Sequence, residues 1–162
     1  MTGSFADPTT PPPPPAWQGR VDRARATILD NRPGELIESQ LGTVQRSLSE
    51  AEQDRRHLHR TLSGLDQAKV SADLKAALRS PDADPALVAS LRRRHETVND
   101  LLNRLDQLDQ QIEATVADLE TLAIRTGEFG LRAGDDAARR EIDQLALDVQ
   151  ALEAAHREIE HL

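Results

Sequence analysis

Two arginine-rich clusters hold the residue types most able to do chemistry. Arg55, Arg56, His57, His59 and Arg60 form one, and Arg92, Arg93, Arg94 and His95 form the other. Guanidinium groups offer forked donors that match the oxygens of phosphates and carboxylates, so either cluster could take an anion or an acidic partner. Against this stands an ordinary solvated helix face neutralised by its neighbours. Glu52 precedes Arg56 by four residues, and Asp66 is expected near His95 across a helical hairpin. Neither cluster has interleaved aromatic residues or a Gly-rich loop to shape a nucleotide or nucleic-acid site. Arg55, Arg56, Arg60, Arg92, Arg93 and Arg94 are therefore candidate contacts for an anion or partner.

Other chemistry has less to work with. His57 and His59 are two apart, which on a helix turns them about 200° from each other, so they do not share a metal from one face. His156 falls on an apolar seam and reads as a partly buried core histidine, and His161 is at the chain end. Acid–base catalysis by carboxylates needs a pocket that separates two pKa values, and no segment implies one. No spacing pairs a nucleophile with its base, and there is no Cys. The reading assigns no catalytic residue, metal or cofactor, and takes the protein not to be an enzyme.

The totals agree with a helical interaction protein. In 162 residues, 38% are hydrophobic and 30% charged, with two Phe, one Trp and no Tyr, a composition suited to long helices rather than to sheets. The net charge of −8 argues against a broad nucleic-acid footprint. No apolar run nears the ~18–20 residues of a membrane span. The opening MTGSFADP has neither a basic region nor an apolar one, so the cytoplasm is the expected location. Lys69 and Lys75 are the only lysines, an Arg-heavy usage that suggests a GC-rich bacterial genome.

The elements that must position these residues follow from apolar spacing and breakers. Residues 1–16, with Pro8 and Pro11 to Pro15, read as a disordered Pro-rich tail, and residues 17–162 as a helical coiled-coil bundle. A helix is predicted over about 17–30, where Trp17, Val21, Ala24 and Ile28 share a face, stopped by Asn31-Arg32-Pro33-Gly34. A second is predicted over about 35–78. Its heptad seam is Ile37, Leu41, Val44, Leu48, Ala51, Arg55, Leu58, Leu62 and Leu65, with the packing face rotated beyond Leu65 towards Val70, Leu74 and Ala77. Pro81 and Pro85 force a turn, with Asp84 as N-cap and Pro85 as first helical residue. The third helix, about 85–126, has Leu91, Val98, Leu105, Ile112 and Leu119 at a, and Leu87, Arg94, Leu101, Leu108, Thr115 and Leu122 at d. Gly127, Gly130 and Gly134 mark a break, with Phe129 and Leu131 pinning it to the bundle. A fourth helix is predicted over about 136–162, with Ala138, Ile142, Leu145, Val149, Leu152, His156 and Ile159 on its seam.

The expected fold is therefore all-α: a long antiparallel coiled-coil hairpin with a shorter C-terminal helix alongside. Facing residues in the hairpin would sum to 163, pairing Leu58 with Leu105 and Leu48 with Thr115. That alignment puts Lys69 opposite Arg94, and both cations should snorkel outward. The extra apolar width of the third helix at Val88, Leu102, Val116 and Ala123 wants another neighbour, either the fourth helix or a second copy of the chain. The first helix would cover the open end near Leu41 and Leu122. The predicted function is a non-enzymatic scaffold or adaptor that binds another protein or itself. The alternative is a binder of nucleic acid or an anionic membrane surface through the Arg clusters.

Overall fold

The computed structural model describes residues 14–33, 35–129 and 136–160. Among them the secondary structure is five α-helices: α1 (Gln18–Asp30), α2 (Glu35–Ser63), α3 (Gln67–Arg79), α4 (Pro85–Phe129) and α5 (Asp136–Glu160). The expectations for the tail over 1–13 and for Leu131 and the side chain of Phe129 lie outside the described residues.

α1 begins where the main-chain N–H of Gln18 bonds the Pro15 carbonyl. Its predicted face is its buried face: Val21, Ala24 and Ile28 are covered, together with Trp17 just before it. The helix ends at Asn31, and Arg32 takes a left-handed backbone (φ 50°) before the buried Pro33. A non-glycine residue in that region carries a small conformational cost, tolerated here to turn the chain before a proline.

The predicted helix over 35–78 is two helices. α2 stops at Ser63, and α3 starts at Gln67 after Gly64, Leu65 and Asp66. Asp66 explains the restart: its Oδ1 accepts a hydrogen bond from the Lys69 N–H at 2.9 Å, an N-cap. Gly64 weakens the helix just upstream. The apolar seam loses its register at this same point, so the change of packing face is made by a break rather than by a rotation within one helix. Lys69 and Arg94 are both exposed, as their like charge requires.

The turn forms as its residues dictate. Pro85 is the first residue of α4, and Asp84 Oδ1 accepts from the Ala86 N–H at 2.9 Å. α4 then runs 45 residues, roughly 68 Å at ~1.5 Å per residue. Leu87, a predicted seam residue, is 52% exposed. Half-buried Val88, Leu91 and His95 and buried Val98 take its place as the inner side of the first turns.

All four other helices pack on α4. Side-chain pairs fix their directions. Arg20 meets Glu113 and Glu120, and Thr27 lies against Gly127, so α1 runs parallel to α4. Arg125 meets Glu141, and Arg104 reaches the Glu158 carbonyl, so α5 runs antiparallel to it. α1 thus lies along α4 rather than only over its end, and α5 packs on both α2 and α4. The core holds Leu41, Val44, Leu48, Ala51, Leu58 and Leu62 of α2, Val98 to Ala123 of α4, and Leu145, Val149 and Leu152 of α5. Thr115, a polar interruption of the predicted seam, is fully buried because its hydroxyl donates to the Gln111 carbonyl one turn back.

The packing of α3 is chiefly on α4. It buries one residue, Val70, so α3 and the first turns of α4 form a thin two-helix arm beyond the body. The two exposed leucines of this arm, Leu78 (55%) and Leu87 (52%), flank the proline turn.

Candidate functional site

The two Arg clusters fare differently. In the first, Glu52 draws the cations inward. Its carboxylate, almost wholly buried, accepts from Arg55 Nε at 2.9 Å, Arg55 Nη2 at 3.1 Å and Arg56 Nε at 2.7 Å. Burial pushes the Glu52 carboxyl up, but the bonds from Arg55 and Arg56 outweigh it and hold the group below its ordinary value. Arg55 also lies 3.9 Å from Asp109 on α4. Arg60 donates to the Arg56 carbonyl. Arg55 and Arg56 are therefore engaged in place, whereas Arg60 stays exposed and joins no ion pair among the described residues.

The second cluster is open. Arg92, Arg93 and Arg94 are exposed and join no ion pair among the described residues. Lys69, Lys75 and Arg79 of the arm are likewise exposed. His95 does not face Asp66, which is engaged as the α3 cap; its Nδ1 lies 3.2 Å from Asn99 Nδ2 instead. The structure does not bring the two clusters together. Arg94 lies about 22 Å along α4 from Asp109, the residue that Arg55 reaches.

Three polar arrangements were not foreseen. The first is Arg20, whose Nη1 is 2.7 Å from Glu113 and whose Nη2 is 2.7 Å from Glu120. Its hydrogen bonds to Glu120 and Glu113 raise its pKa, and the bond from Arg20 lowers that of Glu120. The second is His156 of α5, whose Nδ1 is 2.7 Å from Asp54 Oδ2 of α2, with Asp54 itself 8% exposed. The third is Asp118 of α4 facing Asp148 of α5. Burial, and then the Asp148 carboxyl beside it, push the Asp118 carboxyl up to about 6. Asp148 Oδ1 accepts from Gln144 at 3.2 Å, while Oδ2 is buried without a partner. Each pairing depends on which way two different helices face. The only signal in the sequence is a carboxylate one residue away from a seam position.

Two small clefts accompany these groups. One, about 190 Å³, lies between α1 and α2 beside Trp17, Gln45, Glu52 and Arg56. The other, about 280 Å³, lies between α4 and α5 beside Gln111, Ala151 and Ala155. Both fall below the ~300 Å³ at which small-molecule sites begin, whereas an open one of about 700 Å³ lies beside Gln53, Arg56, His59 and Arg60 of the first Arg cluster. Trp17 Nε1 is buried without an acceptor and is sealed from solvent, so it is not presented to a ligand.

No described helix is long and apolar enough to cross a membrane. Compared with family models, curated proteins and solved structures, the chain matches none.

Proposed function

We propose that the protein is a non-enzymatic coiled-coil scaffold or adaptor for protein–protein interaction, with the arm of α3 and the start of α4 as its contact end. The observation that carries this reading is the arm itself. It leaves Leu78 and Leu87 in solvent at the far end of a helix gripped elsewhere on several sides. Exposed leucines on an arm that also exposes Lys75, Arg79 and Arg92, with Asp82 and Asp84 at its turn, suit a protein surface with an apolar centre and a charged rim.

The proposed spine is an antiparallel coiled-coil hairpin made by α2 and α3 against α4, with facing numbers near 163. In its support, buried Leu41, Val44, Leu48, Ala51, Leu58 and Leu62 match buried Leu122, Leu119, Thr115, Ile112, Leu105 and Leu101 by that rule. The Arg55–Asp109 contact falls one residue from it.

A second reading is favoured by the unpaired Arg92, Arg93 and Arg94: contact with nucleic acid or an anionic membrane surface. One experiment separates the two. A photo-crosslinking residue placed at Leu87 in the native cell should form a discrete adduct with a protein, either another protein or a second copy of the chain. Adducts to nucleic acid or lipid would support the second reading. Labelling no greater than from a control at exposed Gln110 would overturn the assignment of the arm.

A further inference from the structure

We propose that α5 is a pH-responsive latch, seated on α2 and α4 while protons are held at the Asp118–Asp148 pair and on His156, and loosened as those protons leave.

Of the polar contacts that fasten α5, Arg125–Glu141 and Arg104 to the Glu158 carbonyl do not depend on an added proton, whereas two others, one to α4 and one to α2, are favoured by protonation. Towards α4, half-buried Asp118 and Asp148 face each other, and the buried Asp148 Oδ2 has no donor. One shared proton turns the pair into a hydrogen bond, and its loss leaves two carboxylates in repulsion. Towards α2, His156 and Asp54 at 2.7 Å form an ion pair only when the imidazole is protonated. Histidine is the side chain whose charge ordinarily changes between pH 5 and 8.

Among the described residues, the charges around Asp118 leave this logic standing. Near Asp118, the Arg125 guanidinium on α4 is engaged by Glu141 of α5 at 3.0 Å, and Arg20 of α1 takes Glu120 and Glu113. On α2, Arg46, level with Asp148 if the offset of the Asp54–His156 contact is carried along the helices, is exposed. The causes acting on Asp118 are burial and Asp148, with no cation among them. Around His156, α4 contributes Arg104, which donates to the Glu158 carbonyl at 3.3 Å. α5 itself contributes Glu153, whose carbonyl accepts from Arg157. α2 contributes Asp54 and, one turn earlier, Glu50.

The sign follows from Asp118. Its folded pKa of about 6 exceeds the ordinary 3.8, so its contribution is full below the lower value and is lost as pH rises through the upper one. What α5 covers is apolar. Its release would bare Leu145, Val149 and Leu152 and the α2–α4 surface beneath them.

Hydrogen exchange of the full chain tests the latch, with intrinsic rates corrected for pH. Amides of residues 141–157 should lose about tenfold in protection between pH 5.0 and pH 7.5, the equivalent of one pKa unit. Those of α1 should change far less. In Asp118→Asn, and separately in Asp148→Asn, protection of α5 at pH 7.5 should rise towards its value at pH 5.0. Protection of α5 that does not vary with pH, a fall shared equally by α1, or a fall undiminished in both Asn variants would overturn the proposal.

Discussion

Leu119→Ala should lower the unfolding free energy by about 3 kcal/mol, within the ~2–5 kcal/mol range for emptying a fully buried leucine site. Leu119 is 1% exposed and sits in the half of α4 flanked by α1 and by α5. The cavity would open where the spine has the most neighbours and the least freedom to collapse. For a chain of this size, ~3 kcal/mol corresponds to a fall in Tm of about 6–12 °C. Chemical denaturation followed by circular dichroism measures it. The matching change at exposed Leu87, Leu87→Ala, should shift the midpoint negligibly.

Glu52→Ala should cost about 1–3 kcal/mol. The carboxylate is buried and holds two guanidinium groups, and removing one partner of a buried pair is generally expensive, at ~3–5 kcal/mol. Here the cost is lower because Arg55 and Arg56 side chains keep about a third of their surface in water and can turn outward. The same residue sets an acid limit. Its folded pKa lies below the ordinary 4.5, so its contribution is present above that value and fades as pH falls through the folded one. Asp118 acts in the opposite sense at higher pH. Denaturation profiles should therefore show greatest stability near pH 4.5, falling as pH rises through about 6, and Glu52→Ala should flatten the acid side alone.

How far the sequence could be read depends on the kind of residue. Apolar spacing identified the buried stripe from Leu101 to Leu122 and the α1 face at Trp17, Val21, Ala24 and Ile28, because burial of those side chains is what makes the helices pack. Pro81, Asp84 and Pro85 marked their turn through backbone restriction alone. The break after Ser63 was missed because heptad spacing weighs leucines and passes over Gly64 and Asp66, whose effect is a weakened turn plus one capping bond. Leu87 was misplaced by a single position. A heptad frame carried past the end of α2 assumes the partner helix continues unchanged, whereas α3 meets α4 through Val70 and a shifted face.

The candidate site was half legible. Both Arg clusters could be seen as charge, and the i,i+4 spacing already pointed from Glu52 to Arg56, but only three-dimensional packing shows that Glu52 is buried and takes Arg55 as well, while Arg92, Arg93 and Arg94 stay in solvent. Asp118 and Asp148 are thirty residues apart, and nothing local to either announces the other.

The hairpin alignment is the claim on which the arm, the spine and the two Arg environments all rest. With no native Cys, spin labels can be attached at Ser63→Cys and Asp100→Cys, two exposed positions whose numbers sum to 163. Paired helices lie ~8–10 Å apart, so pulsed dipolar spectroscopy should give a single distance below about 25 Å in the monomer. A separation of ~50 Å or more, as along one unbroken helix, or a short distance only between different molecules, would contradict the fold-back at the proline turn.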